Sequence, residues 1–207
     1  GIVRLSELFD GQNIQTDIEI AGLTADSRNV EPGYVFAALS GVARDGRDFV
    51  PQALEKGAVA VLSAAPVDTG NAVLILDNEP RQALAKAAAR FYPQQPEHIV
   101  AVTGTNGKSS TVDFLRQIWT TLGLCGASMG TLGAIGPDGS IDLGHTTPDP
   151  VAIHKTLSSL VDSKVSHVAM EASSHGLVQY RLDGVKLSAV AFTNLTQDHL
   201  DYHASFD

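Results

Sequence analysis

The chain has 207 residues, enough for one large domain or two small ones at roughly 150 residues per domain, and too few for a long repeat array. Hydrophobic residues make up 43% and charged residues 18%, a balance that excludes a disordered polymer and suits a chain with a buried core. The formal charge of -9 opposes a broad, charge-driven grip on nucleic acid or an anionic membrane. The single cysteine, Cys125, cannot form an internal disulfide, which suits a reducing compartment and an expected cytoplasmic location. The first residue is Gly, consistent with a trimmed or tagged start, and Gly1-Ile-Val-Arg runs straight into the polar Leu5-Ser-Glu-Leu-Phe-Asp, so no signal peptide is read.

From there, short runs rich in Val, Ala and Ile alternate with helix-like stretches, the pattern of parallel strands joined by crossover helices. Strands are predicted over 34–39, 58–62 and 72–76. A short helix is predicted over 50–57, with Pro51 near its start and Gly57 at its close. A second, over 80–92, carries Leu84, Ala87, Ala88 and Phe91 on one face. Pro93-Gln-Gln-Pro96 must stop it, so a domain of residues 1–92, a linker of 93–96 and a second domain of 97–207 are expected. In the second domain the alternation predicts strands over 98–103, 124–129, 167–171 and 187–192, with helices over 108–121 and 150–163. The uncharged run from Gln117 to Pro137 is 21 residues long, but its five glycines and its strand-and-turn pattern argue against a membrane helix. The predicted fold class is therefore α/β, a small α/β domain followed by a parallel-sheet domain. With no helix after the last strand, the second domain reads as truncated.

Val100-Ala-Val-Thr-Gly-Thr-Asn-Gly-Lys-Ser-Ser is a buried strand, a tight Gly-containing loop and a helix start. Backbone N–H groups of such a loop converge on phosphate oxygens, the helix N-terminus adds partial positive charge, and Lys108 reaches the outer phosphates. Ser109 supplies a hydroxyl where Mg²⁺ bridges phosphates. The strict phosphate-loop expression is not met, because Val102 stands where its first Gly belongs. The compact Gly104-Thr105-Asn106-Gly107-Lys108-Ser109 keeps the strand-to-helix context. Glu171 closes one later strand, and Asp198-His199 follows another. In an open parallel sheet ligands lie off the carboxyl ends of the strands, so Glu171 and His199 are expected on the edge of the phosphate loop, where they can share a metal with Ser109. Zinc is not expected with one Cys and a single close His pair, His199 and His203. Ser173, Ser174 and His175 lack the Gly-x-Ser-x-Gly elbow of a hydrolase.

Gly104-Thr-Asn-Gly-Lys-Ser-Ser, His145-Thr-Thr-Pro-Asp, Met170-Glu-Ala-Ser-Ser-His-Gly-Leu and Thr193-Asn-Leu-Thr-Gln-Asp-His-Leu-Asp-Tyr-His together resemble the Mur ligase family, most closely the branch that adds the third residue of the peptidoglycan stem peptide. Leu23-Thr-Ala-Asp-Ser-Arg28 and Pro32-Gly-Tyr-Val-Phe-Ala-Ala-Leu39 are similar to that branch's nucleotide-sugar domain. The resemblance implies a P-loop-type ATPase domain behind a UDP-substrate domain. It also implies an ATP- and Mg²⁺-dependent ligase joining an amino acid, meso-diaminopimelate by preference, to UDP-N-acetylmuramoyl-L-alanyl-D-glutamate through an acyl phosphate. Gly104, Thr105, Asn106, Gly107, Lys108, Ser109 and Ser110 would hold ATP. Lys108, Glu171 and His199 would be catalytic, and Ser109, Glu171 and His199 would ligate the metal. Ala25, Ser27, Val42, Ala43 and Arg44 would touch the uridine nucleotide, and His145, Thr146, Thr147, Ser173, Gln179 and Arg181 would line the muramoyl-peptide path.

Ser109-Ser110 replaces the family's commoner Thr-Thr, and His145 stands where Asn is often found. The family's carbamoylated lysine and amino-acid selector are expected beyond Asp207, so these residues alone are not expected to ligate. Asp77-Asn-Glu-Pro-Arg81 is similar to the diaminopimelate signature but reads as the turn before the second helix. Small-molecule substrates, no nucleic acid, no membrane insertion and a monomer are the expected partners. A folylpolyglutamate synthase-like ligase is the nearest alternative, and residues 1–92 count against it. A non-catalytic nucleotide-binding module is the other.

Overall fold

The computed structural model describes residues 1–10, 14, 16–41, 43–130, 133–142, 149–173 and 181–194. The chain divides into two compact units, Gly1–Phe91 and Tyr92–Asp207.

In the first unit, β1 (Val3–Arg4) leads directly into the single turn α1 (Leu5–Leu8) and pairs antiparallel with β2 (Glu19–Ile20). A parallel sheet follows in chain order: β3 (Gly22–Thr24), β4 (Tyr34–Ala38), β5 (Ala60–Ser63) and β6 (Val73–Leu76). Its inner strands are almost entirely apolar because both faces are covered, and Val35, Phe36, Ala60 and Leu62 are fully buried or nearly so. Between β4 and β5 a 3₁₀ turn, Gly46–Phe49, runs into α2 (Val50–Glu55). Val50 and Ala53 of that helix enter a core cluster with Phe36, Ala38 and Val61. Gly57 turns the chain at φ +104, where a Cβ would press on Pro32. The unit closes with α3 (Pro80–Phe91), which buries Leu84, Ala85, Ala87 and Ala88, the narrow small-residue face that lets a helix lie close to a sheet. Arg90 ties α3 to the end of α1 by donating to the Leu8 carbonyl at 3.0 Å. Asp77 and Glu79 form the expected turn before α3, with the Glu79 N–H donating to the Asp77 carboxylate at 2.8 Å.

The second unit contains β7 (His98–Thr103), α4 (Lys108–Thr121), β8 (Gly126–Gly130), β9 (Gly133–Gly136), β10 (Gly139–Ile141), α5 (Pro150–Asp162), β11 (His167–Glu171) and β12 (Ala189–Phe192). Among the described residues its sheet runs β10-β9-β8-β11-β7-β12. The expected parallel arrangement holds for β8, β11, β7 and β12, whereas β9 and β10 form an antiparallel hairpin on one edge. The hairpin adds two strands that the predicted alternation does not contain. Pro137-Asp138 turns the chain, Gly139 takes φ +107, and a two-residue connection of that kind can only reverse direction. Ile153, Leu157 and Leu160 of α5 pack on Ile99, Val168 and Met170, while Val112 of α4 packs on Val102 and Ala169. No helix among the described residues is long and apolar enough to cross a membrane.

The chain leaves β7, steps past one position to β8, fills the gap with β11, and then places β12 on the other side of β7. The reversal around β7 is a topological switch point, where loops after neighbouring strands part and leave a crevice at their carboxyl ends.

Candidate functional site

β7 ends at Thr103, the loop 104–107 follows, and α4 begins at Lys108. Two glycines make the turn, Gly104 at φ +130 and Gly107 at φ +80, values that side-chain-bearing residues rarely adopt. At Gly104 a Cβ would also collide with the Thr193 hydroxyl, so this position is closed to any other residue on two grounds. The first intrahelical bond of α4 runs from the Thr111 N–H to the Gly107 carbonyl, 3.0 Å. The N–H groups of Lys108, Ser109 and Ser110 therefore have no intrahelical partner and mark a helix start suited to an anion. The Lys108 ammonium folds back over its own loop and donates to the Gly104 carbonyl at 2.6 Å, which keeps it beside the helix start.

β11 lies beside β7 with Glu171 opposite Val102, so its last residue emerges next to the loop. The Ser109 hydroxyl donates to the Glu171 carboxylate at 2.8 Å. That carboxylate lies across Gly130, the last residue of β8, where a Cβ would run into it. Gly130 ends a strand next to that of Glu171, so the same topological reasoning reaches it, although its residue type carries no chemical signal. An open cleft of about 310 Å³ begins here, lined by Ser109, Ser110, Ser128, Gly130 and Glu171 with Ile135 at its rim. Asp113, a turn further along α4, borders it; the Arg116 guanidinium holds its carboxyl below the usual carboxylate range. Among the described residues no three His, Cys, Asp or Glu side chains gather as a metal site. Ser109 and Glu171 are nonetheless a pair of hard oxygen donors beside a phosphate-type loop, the donor chemistry Mg²⁺ prefers.

On the other flank of β7, β12 brings two residues to which the spacing argument assigned nothing. The Thr193 N–H donates to the Thr103 carbonyl at 2.9 Å, carrying the β7–β12 ladder one step further. The Asn194 amide oxygen accepts from the Thr105 N–H at 2.9 Å, the Thr105 hydroxyl at 2.9 Å and the Asn106 N–H at 3.1 Å. The signal that could have found them is the strand pairing itself, since only a strand parallel to β7 and adjacent to it delivers its next residues to the loop.

In the first unit, Ala25 and Ser27 follow β3, and Ala43 and Arg44 follow β4. β3 and β4 are parallel neighbours, so both segments leave the same carboxyl edge of the sheet. Ser27 is buried, 6% exposed, and its hydroxyl donates to the Gln52 side chain of α2 at 2.8 Å; its proton is committed within the unit. Ala43 and Arg44 are exposed, and the Arg44 guanidinium carbon sits 5.8 Å from the centre of the Phe49 ring. Arg47 is held by Asp45. Ser173 and Arg181 are half-buried in the second unit. Val42, His145, Thr146, Thr147, Gln179 and His199 lie outside the described residues.

Two family models match the chain: one described as the Mur ligase middle domain over residues 102–207, the other as the Mur ligase family, catalytic domain, over residues 19–92. A Brucella melitensis protein named UDP-N-acetylmuramoyl-L-alanyl-D-glutamate--2,6-diaminopimelate ligase is 51% identical over 209 residues, covering 100% of this chain and 42% of that protein. A Rhizobium meliloti protein of the same name is 52% identical over 92% of this chain and 39% of its own length. The chain thus spans about two fifths of the length of these curated relatives. A solved structure of a ligase of that name superposes with a TM-score of 0.80 at 30% identity, over 99% of this chain and 42% of that one. The structure of MurF ligase from Thermotoga maritima in complex with ADP superposes with a TM-score of 0.60 at 22% identity, over 86% of this chain and 38% of that one, a likeness of fold.

Proposed function

The chain belongs to the Mur ligase family, and on that premise we propose that it forms the substrate-binding and ATP-binding part of a cytoplasmic ligase. The reaction joins meso-diaminopimelate to UDP-N-acetylmuramoyl-L-alanyl-D-glutamate at the expense of ATP. The observation that carries this reading is the meeting of the Ser109 hydroxyl and the Glu171 carboxylate at 2.8 Å, beside the loop that holds Lys108. Two relatives about half identical to the chain, both named as diaminopimelate ligases, support the choice of amino acid.

A carboxylate is a poor acyl donor because its leaving group would be an oxide. In the proposed reaction the terminal carboxylate of the UDP-linked substrate attacks the γ-phosphorus of ATP, and the bond to the β-phosphate oxygen breaks to release ADP. The amine of the incoming amino acid then attacks the acyl phosphate carbon, inorganic phosphate leaves, and the amine proton is lost to solvent or base. The N–H groups at the start of α4 receive the phosphates, and the helix N-terminus favours their charge. Lys108, released from the Gly104 carbonyl, moves its ammonium onto the phosphoryl group in transfer, where fixed charge lowers the barrier most. Ser109 and Glu171 would hold Mg²⁺ with His199. When bound there, the ion would supply positive charge to the phosphates. In the first unit, Ala25, Ser27 and the 42–44 loop receive the uridine nucleotide. With its proton already given to Gln52, Ser27 contributes there as an acceptor. Thr146, Thr147, Ser173, Gln179, Arg181 and His145 flank the peptide.

The test uses the intact gene product with UDP-N-acetylmuramoyl-dipeptide, MgATP and either meso-diaminopimelate or L-lysine, with products read by mass spectrometry. The proposal expects a UDP-tripeptide carrying diaminopimelate and one ADP per product. A product with lysine alone overturns the amino-acid assignment, and ATP turnover independent of the UDP-linked substrate overturns the ligase reading.

A further inference from the structure

The proposed reaction gives no work to Thr193 and Asn194, yet among the described residues they are the ones most fully engaged with the phosphate loop. A single amide oxygen, that of Asn194, collects the N–H groups of two consecutive loop residues and one loop hydroxyl. The Thr193 hydroxyl lies 2.6 Å from the Asn106 carbonyl and 3.2 Å from the Thr103 carbonyl. It has one proton, and the shorter contact marks Asn106 as its acceptor. Both backbone polar groups of Asn106 and the N–H of Thr105 are thereby satisfied by the two residues that follow β12. Gly104 closes against the same two residues, for a Cβ there would strike the Thr193 hydroxyl and come within 2.9 Å of the Asn194 carbonyl.

The loop has two glycines at positive φ, and glycine leaves the chain more conformations than any other residue, so the loop's own sequence does not hold one shape. An acceptor built into the next strand supplies the constraint. The N–H groups of Thr105 and Asn106 are also no longer free to serve as phosphate donors. What remains for an incoming triphosphate is the set at the helix start, residues 107–110, together with the Lys108 ammonium.

We propose that Thr193 and Asn194 are positioning residues: they hold loop residues 104–106 in the phosphate-accepting shape before nucleotide arrives, and they assign phosphate recognition to residues 107–110. This rests on the ATP-dependent reading above. A misplacement of about 1 Å at reacting groups costs on the order of a hundredfold in rate, and that is the scale of effect expected.

The experiment uses the intact gene product carrying Asn194→Ala, Thr193→Val or Thr193→Ser. Three measurements are made: MgADP affinity by calorimetry, steady-state kinetics in ATP and in the UDP-linked substrate, and hydrogen exchange of the peptide spanning residues 104–110 without nucleotide. For Asn194→Ala the expected result is a fall of about a hundredfold in kcat/KM for ATP, weaker MgADP binding, faster exchange in that peptide alone, and an unchanged KM for the UDP-linked substrate. Thr193→Val should move the same quantities less, and Thr193→Ser should restore them. Unchanged kcat/KM for ATP and unchanged exchange in Asn194→Ala would overturn the proposal. So would equal losses on both substrates with a lowered melting temperature, the mark of general support. If the unmutated protein binds no nucleotide, the ligase reading fails, while the exchange of residues 104–110 still decides whether the pair holds the loop.

Discussion

The two units present their carboxyl sheet edges in different ways. In the second, polar side chains from two strand ends and one helix start gather around the phosphate loop: Glu171 from β11 reaches Ser109, Asn194 beyond β12 reaches Thr105 and Asn106, and Lys108 returns to Gly104. In the first, polar groups near the edge are satisfied by neighbours. Asp26 holds Arg28, Asp45 holds Arg47, and Ser27 holds Gln52. The difference teaches that phosphate and metal chemistry demands convergent donors and acceptors, which leave a mark in residue type and spacing. The uridine site proposed for the first unit would rest on backbone and shape, which leave little.

If that contrast is sound, the largest effects come from the second unit. Lys108→Ala in the intact gene product should lower kcat by about a hundredfold to a thousandfold, with little change in the KM for the UDP-linked substrate, as steady-state kinetics would read. Losses shared equally by kcat and both KM values would point instead to disturbed folding. Glu171→Gln keeps an acceptor for Ser109 but removes the charge. It should raise the Mg²⁺ concentration needed for half-maximal rate by about tenfold to a hundredfold, and an unaltered Mg²⁺ titration would take Glu171 out of the metal's reach.

A smaller effect separates the units by pH. His154 of α5 is fully buried and its Nε2 meets the Asp183 carbonyl at 3.1 Å, while its Nδ1 has no hydrogen-bond partner among the described residues. Burial lowers its pKa below the ordinary 6.5, against an opposing pull from the Asp183 carbonyl. The unfolded chain then takes up a proton near pH 6.5 that the folded unit refuses. The stability linked to His154 is present in full above that pH and is lost as pH falls from there towards the lower folded value. Residues 1–91 contain no histidine. Urea unfolding followed by hydrogen exchange at pH 7.5 and 5.5 should therefore show the second unit weakening more than the first, and His154→Gln should reduce the difference. The smallest effect belongs to the first unit. Ser27→Ala should weaken UDP binding only severalfold, within the about 0.5–1.5 kcal/mol of one neutral hydrogen bond, and should leave ADP binding unchanged in ligand-observed NMR.

Legibility followed the same divide. The strand His98–Thr103, the helix Lys108–Thr121 and the strand His167–Glu171 stand at their predicted bounds, because a buried parallel strand and a strand-to-helix glycine turn impose a local pattern. The β9–β10 hairpin was missed: its strands are Gly-Ala-Ile-Gly and Gly-Ser-Ile, too short and too poor in large apolar residues for alternation to show, although Pro137-Asp138-Gly139 was a turn signal. β1, β2 and α1 are two to four residues each and exist through pairing and through packing against α3. Glu171 was legible as a carboxylate ending a strand. Asn194 was not, since its role depends on β12 lying next to β7, a fact of topology that no local window contains.

The central claim, that this edge activates a carboxylate by phosphorylation, is open to one direct measurement. The UDP-linked substrate is prepared with ¹⁸O in its terminal carboxylate and turned over by the intact gene product with MgATP and meso-diaminopimelate, and the released inorganic phosphate is analysed by mass spectrometry. An acyl phosphate requires one ¹⁸O to pass from the carboxylate to each phosphate released. Phosphate free of the label, with UDP-tripeptide formed, would contradict the account.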